Sequence, residues 1–234
     1  MDEGNGSRRT ARQFVEQLGA GGGPMRDLFA LAKRFIDLEL DQIEELLESP
    51  VREVRMGAVS VMDFQARRRS TAAARREGLY ELYLRRHDRI DDWSMVDRAA
   101  PSVVGDHLLD KPRDPLYRLA ASPSIWERRT AVVATWAFIR RGQLDDTFAL
   151  AELLVDDPEH LIHTAFGGWV REAGKRDVAR LRAFLDAHAA TMPRTALRFA
   201  VEHLDPDERR PYRSLSAPPL PTPPLTRPQE QSWT

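Results

Sequence analysis

Ser49-Pro-Val-Arg-Glu-Val-Arg-Met-Gly-Ala-Val59 and Ser122-Pro-Ser-Ile-Trp-Glu-Arg-Arg-Thr-Ala-Val132 carry Ser, Pro, Arg, Ala and Val at identical offsets. Pro50, Pro123, Pro158 and Pro193 are spaced 73, 35 and 35 apart, so the first gap is two periods of about 36 residues. Arg55, Arg128 and Arg198 each stand five residues after their proline. Proline suits the first turn of a helix, where its missing N–H has no intrahelical partner. Two helices per unit of this length is the arithmetic of a helical solenoid. The unmarked period should begin near Arg86, and Trp93 to Ala100 falls within it.

Outward from these segments the chain reads as helix after helix from Met25 to about Pro206. Leu28, Leu31, Ala32 and Phe35 share one helical face, and the period-2 alternation of a strand is missing. Residues 1–24 are read as a flexible N-terminal segment holding a short helix, Thr10–Leu18, before the breaker Gly21-Gly22-Gly23-Pro24. Residues 25–212 form the repeat domain. The proline-dense stretch 213–234 is expected to be a disordered or polyproline-type tail.

Composition narrows the function classes. Of 234 residues 42% are hydrophobic and 30% charged, ordinary for a helical protein that buries a full core. There is no cysteine, which excludes disulfides, thiolate zinc sites and cysteine nucleophiles. The longest nearly apolar run, Ala131 to Ile139 with only Thr135 polar, is too short to cross a bilayer, and the N-terminus lacks the apolar core of a secretion signal. A cytoplasmic protein without a membrane role is the expectation. Net charge is −1, so global charge does not favour nucleic acid. Arginines 67, 68, 69, 75, 76, 85 and 86 stand against Glu77 and Glu81, a local basic patch able to neutralise phosphates or to serve as a solvated helix face.

Three segments hold residues suited to chemistry. In Trp93-Ser-Met-Val-Asp97 the spacing of four sets an indole and a carboxylate one turn apart on one helix face. Taken by itself that pair reads first as core packing with a capping or arginine-paired carboxylate. Its functional reading is a flat π surface beside an anion, suited to a cationic aromatic ligand. In Ile125-Trp-Glu-Arg-Arg-Thr-Ala131, Arg128 keeps the repeat position of Arg55, whereas Arg129 aligns with Met56. A core position that becomes arginine needs an anionic partner, a carboxylate or a phosphate. In Phe166-Gly-Gly-Trp-Val-Arg-Glu-Ala-Gly-Lys175, two consecutive glycines cost a helix about 1 kcal/mol each and imply close helix packing or close approach of a ligand. His87, His107, His160, His163, His188 and His203 form no metal-binding spacing and are read as surface or repeat-core residues. No P-loop, dinucleotide fingerprint, nucleophile elbow or zinc motif is present.

Together these segments resemble the AlkD-like DNA alkylation repair family, from about Met25 to Tyr212. The matching runs include Ser-Pro-x-x-Glu-Val-Arg (49–55), Trp-x-x-Val-Asp with the following Ala-Pro and Val-Gly (93–105), and Leu-Leu-Asp-Lys-Pro-Arg-Asp (108–114). Further on they include Trp-Glu-Arg-Arg-Thr-Ala-Val-Val (126–133), Arg-Glu-Ala-Gly-Lys-Arg-Asp (171–177) and Met-Pro-Arg-Thr-x-Leu-Arg (192–198). The resemblance implies an all-α, right-handed α-solenoid of HEAT-like repeats, C-shaped, with a concave face that binds double-stranded DNA. It implies hydrolysis of the N-glycosidic bond of cationic N3- or N7-alkylated purines, bulky adducts included, by a monomer without metal or organic cofactor. Asp97 then stabilises the oxocarbenium-like transition state, Trp93 contacts the sugar, and Arg129 holds a phosphate. Trp126 and Trp169 are further candidates for DNA contact.

The sequence departs from the family pattern where Gly-Trp-x-x-Arg-Glu is usual. Aligned through Arg171-Glu172, the tryptophan position is Gly168, and Trp169 follows one residue later, a rotation of about 100° on a helix. Ser94 stands where aspartate is usual. The alternative function is a non-catalytic HEAT-repeat protein that binds damaged or branched DNA, or a protein-binding scaffold.

Overall fold

In the computed structural model the described residues are 9–19 and 23–215, and among them every regular element is a helix. The breaker residues 21 and 22 and the proline-rich residues 216–234 lie outside them. Helix α1 (Ala11–Leu18) opens with a capping box in which Thr10 and Gln13 bond reciprocally to each other's backbone N–H. Phe14 is fully buried, edge-on to Phe35 at 5.3 Å. The short helix expected at Thr10–Leu18 is present as Ala11–Leu18, and Phe14 docks it on the fold within what was read as a flexible segment. Helix α2 (Met25–Arg34) follows and packs on the second helix of the first pair.

Five helix pairs make up the rest of the described fold: α3 (Leu40–Leu47) with α4 (Arg52–Arg67), and α5 (Ala73–Arg85) with α6 (Trp93–Ala99). In the second pair the chain runs on from α6 through a π-helical segment, Ala100–Gly105, into α7 (Asp106–Leu108). The third pair is α8 (Asp114–Ala120) with α9 (Ile125–Ala134), prolonged after Thr135 by α10 (Trp136–Ile139). Then come α11 (Asp145–Leu153) with α12 (His160–Gly174), α13 (Val178–His188) with α14 (Arg194–Ala200), and a last helix α15 (Pro206–Ser214). The second helices form one continuous layer: α4 packs on α6, α6 on α9, α9 on α12 and α12 on α14. The fold is a helical repeat solenoid.

The repeat prolines occupy the turn entering each second helix, one or two residues before its first helical residue, instead of the first helical turn. The reason is visible in the arginine five residues on. Arg55 donates to the carbonyls of Ser49 and Pro50 and reaches Asp91 at 2.8 and 3.0 Å. Arg128 repeats this with Ser122, Pro123 and Asp157. Each arginine thus ties its own entry turn to an acidic residue ahead of the next second helix. In the terminal pair Arg198 instead lies over the Phe199 ring at 4.9 Å. The unmarked repeat is longer, with a 3-10 turn at His87–Arg89 inserted between α5 and α6, and this moves its second helix to Trp93.

The arginine-rich stretch that the sequence offered as a phosphate patch is largely engaged in the fold. Arg68 pairs with Asp37, Arg75 with Glu39, and Arg85 and Arg86 with Glu44. These pairs link residues 68–86 to α3 and the turn before it. At the other end α15 continues to Ser214, and Arg194 holds the carbonyls of Arg213 and Leu215, so helix extends past residue 212. Among the described residues no helix is long and apolar enough to cross a membrane.

Candidate functional site

Asp92 begins the site by capping α6, accepting from the Ser94 backbone N–H at 2.8 Å and from Arg52 of α4. Burial opposes ionisation of Asp92, but hydrogen bonds from Ser94 and Arg52 hold its carboxyl below the usual carboxylate range. Ser94, the departure noted in the sequence, belongs to this cap: its hydroxyl bonds Asp92 and accepts from Arg52 at 2.9 Å. Trp93, the first residue of α6, is 52% exposed, and Asp97 stands one turn later.

Asp97 is fixed by Arg129 of α9. Arg129 Nε donates to Asp97 Oδ1 at 2.9 Å, its Nη2 to Oδ2 at 2.8 Å, and its Nη1 to the Leu161 carbonyl of α12 at 2.7 Å. The Arg129 side chain is 7% exposed against 28% for Asp97. Of the two anions that the sequence allowed for Arg129, the carboxylate of Asp97 is the partner in this structure. A bidentate fork holds the carboxylate plane as well as its position. Each carboxylate oxygen keeps a second acceptor site.

Thr130, the next residue, anchors α9 from beneath. Its hydroxyl meets Tyr83 Oη at 3.1 Å and His87 Nε2 at 2.9 Å, and all three side chains are buried. Burial pushes the Tyr83 hydroxyl above its ordinary value; the Thr130 bond opposes this and the Asp97 charge adds to it. Burial likewise depresses His87, against the pull of Glu127 and Asp88. Among the histidines of the sequence His87 is thus a core residue.

Beyond Asp97 the α6 backbone changes pitch. Pro101 has no N–H to give to the Asp97 carbonyl, so the α-pattern cannot continue there, and the chain passes through the π-helical turn Ala100–Gly105. A cleft of about 260 Å³ opens at this point between α4, α6, α7 and α10. Asp97 and Asp106 present carboxylates to it, Trp136 an indole, and Arg67 and Arg140 stand at its more exposed edge. Deeper in the cleft, Asp63 of α4 is 2% exposed, accepts from Ser102 Oγ at 2.6 Å and lies 3.0 Å from Arg98 Nη2. The Arg98 guanidinium is set over the rings of Phe29 and Phe64 at 4.7 and 4.6 Å. Burial raises the Asp106 carboxyl above the usual range, and Arg140 at 3.1 Å and Arg141 pull it back. Among the described residues no three His, Asp or Glu side chains converge to hold a metal ion.

The aromatic candidates separate. Trp126 lies half-buried against the core near the start of α9 and does not line the cleft. Trp169 of α12 donates its indole N–H to the Val133 carbonyl at 3.1 Å and meets Trp136 edge-on, with centroids 6.2 Å apart. The double glycine splits into two functions. A Cβ on Gly167 would come within 2.6 Å of the Ala196 carbonyl, so Gly167 is required for the contact of α12 with α14. A Cβ on Gly168 would meet nothing within 4 Å.

Of the residues that the sequence singled out, Asp97 lines the cleft, Arg129 holds it from outside the lining, and Trp93 stands one turn before it and does not line the cleft. Asp63, Arg98, Asp106 and Trp136, which do, were not singled out. Asp63 had a detectable signal, a lone carboxylate inside the apolar run Met56 to Phe64. Trp136 was hidden in the apolar stretch 131–139, though Arg140 one turn later marked that face as mixed.

A family model described as DNA alkylation repair enzyme matches residues 4–204. No curated protein gives a significant match.

Proposed function

The chain belongs to the DNA alkylation repair enzyme family, and from that premise we propose that it hydrolyses the N-glycosidic bond of cationic N3- or N7-alkylated purines in double-stranded DNA. The observation that carries the reading is the half-open carboxylate of Asp97, pinned by Arg129 beside a polar cleft. Alkylation makes the purine cationic and already a good leaving group. As C1′–N breaks, its electrons neutralise the base and positive charge appears on the deoxyribose. A fixed carboxylate at that point stabilises the developing charge without reorganising. Its free acceptor sites orient a water whose oxygen bonds to C1′ and whose proton passes to the carboxylate or to solvent.

The other residues take roles around that centre. Trp93, exposed one turn before Asp97, covers the sugar and excludes bulk water. Arg129 is a positioning residue for Asp97. Contact with backbone phosphates falls to the exposed guanidiniums of Arg67 and Arg140 at the cleft edge. The layer of second helices is the DNA-facing side, and one chain carries all of these groups, so the protein acts as a monomer.

The test is release of free base from duplex DNA carrying 7-methylguanine or 3-methyladenine, comparing wild type with Asp97→Asn. Wild type is expected to release base. The variant should bind the duplex with similar affinity and lose roughly 100- to 1000-fold in rate, the range for removing one transition-state electrostatic partner. Equal rates would remove Asp97 from the chemistry. Binding without release by wild type would support the non-catalytic alternative.

A further inference from the structure

We infer that Trp136 is the aromatic surface that meets the damaged nucleotide in the Asp97 cleft, and that Trp169 is the residue that positions it. The inference rests on the glycosylase reading and names a contact that the reading left open.

Three observations carry it. Trp136 and Asp97 line the same cleft, from α10 and α6 respectively. Trp136 shares a helix face with Arg140, one turn later, so an indole and a guanidinium stand side by side as a base and its phosphate would require. Trp136 is also braced. The Trp169 ring lies edge-on to it, and the Trp169 indole N–H is tied to the Val133 carbonyl, which fixes that brace to the backbone of α9. Meanwhile α12 places no side chain at Gly168, where the space is open. No α12 residue lines the cleft, and the indole that does is the one on α10.

The chemistry of the cleft selects the ligand. The lining balances three aspartates with three arginines. Arg98, however, is taken up by Asp63, and Arg67 and Arg140 stand at the exposed edge. A half-buried indole beside the open carboxylate of Asp97 therefore favours a flat cationic ligand joined to phosphate. An N-alkylated purine before bond cleavage is such a ligand; the neutral base after cleavage is not. Trp136 should therefore discriminate cationic from neutral purines, while Arg140 contributes to both.

The test pairs two substitutions at Trp136 with one at Trp169. Single-turnover release of 7-methylguanine is measured, together with affinity for the same duplex with and without the lesion. Trp136→Leu fills most of the volume without a π surface. It should lose roughly 10- to 100-fold in rate, the fold-change that corresponds to removing one stacked base contact, and lose its preference for the lesion duplex. Trp136→Phe should keep most of both. Trp169→Phe keeps an aromatic ring, though a smaller one, but not the N–H donor, and should slow release while leaving affinity for undamaged duplex unchanged. Wild-type behaviour of Trp136→Leu in both measurements would overturn the role of Trp136. A Trp169→Phe protein weakened equally on damaged and undamaged duplex would reduce Trp169 to packing. If wild type itself released no base, the glycosylase reading would fail separately. In that case unchanged lesion binding by a folded Trp136→Leu protein would overturn the inference as well.

Discussion

Arg128 and Arg129 are neighbours on α9, and each grips an aspartate with two nitrogens, yet the two pairs belong to different regions. Arg128 looks toward the repeat junction, where it also fills the carbonyls of Ser122 and Pro123 and where Asp157 is 4% exposed. Arg129 looks into the layer of second helices, where its own side chain is the enclosed partner and Asp97 keeps 28% of its side-chain surface. The same ion pair is closed in one place and half-open in the other. A closed pair holds two repeats together; a half-open one offers an oriented carboxylate to something that arrives. Exposure of the acid separates these two neighbours, but the junction pair Arg55–Asp91 also leaves its acid 49% exposed. What marks Asp97 is an open carboxylate that lines a cleft.

Breaking the closed pair should produce the larger effect on folding. Arg128→Ala leaves a buried carboxylate with only the Glu159 N–H at 2.9 Å and two carbonyls without their donor. A loss of about 3 kcal/mol or more is expected for removing one partner of a buried pair, or roughly 6–12 °C in Tm for a chain of this size. A scanning melt checks it. A fall of a degree or less would mean that the junction is held by packing alone and that the comparison has no energetic content.

The half-open pair should respond in rate more than in stability. Arg129→Lys keeps the charge but cannot form the fork, so Asp97 loses its fixed plane. Base release should slow roughly 10- to 100-fold, the scale of a misplacement near 1 Å. The salt dependence of duplex binding should stay as in wild type, because no phosphate contact is removed. A slope flattened by about one unit would show that Arg129 touches phosphate in the complex after all, as the family resemblance first implied.

The repeat was legible because junction chemistry is local. Proline, arginine and the entry turn lie within six residues, so their spacing survives in the sequence. The pair Trp93 and Asp97 was legible for the same reason, being one turn apart on α6. What the sequence withheld was contact across helices. Nothing in residues 125–131 says that Arg129 chooses Asp97, 32 positions earlier, over a phosphate. Nor does the order of residues reveal that Pro101 diverts the helix into a π turn that opens the cleft, or that Trp136 and Asp106 meet there. The short helix α1 was legible but its docking was not, because its anchor, Phe14, finds its partners in Phe35 and in the space left by Gly57.

The third consecutive residue, Thr130, gives the smallest test and separates the two pairs from the core beneath them. Its hydroxyl is shared by Tyr83 and His87, and burial depresses the His87 ring against the pull of Glu127 and Asp88. Because the folded value lies below the ordinary 6.5, the native state binds fewer protons than the unfolded chain between the two values. Stability from this residue is complete above 6.5 and is lost as pH falls from there to the depressed value. His87→Gln can keep the bond to Thr130 without a titrating group. Urea midpoints of wild type should therefore drop more than those of the variant between pH 7.5 and pH 5.5, while the two proteins match closely at pH 7.5. Parallel curves would mean that His87 takes up its proton in the fold as readily as in the unfolded chain, and so is largely protonated at pH 5.5. That charge would sit on the buried ring that bonds Thr130, and the core beneath α9 would hold an ionised group in place of a neutral hydrogen-bonded one.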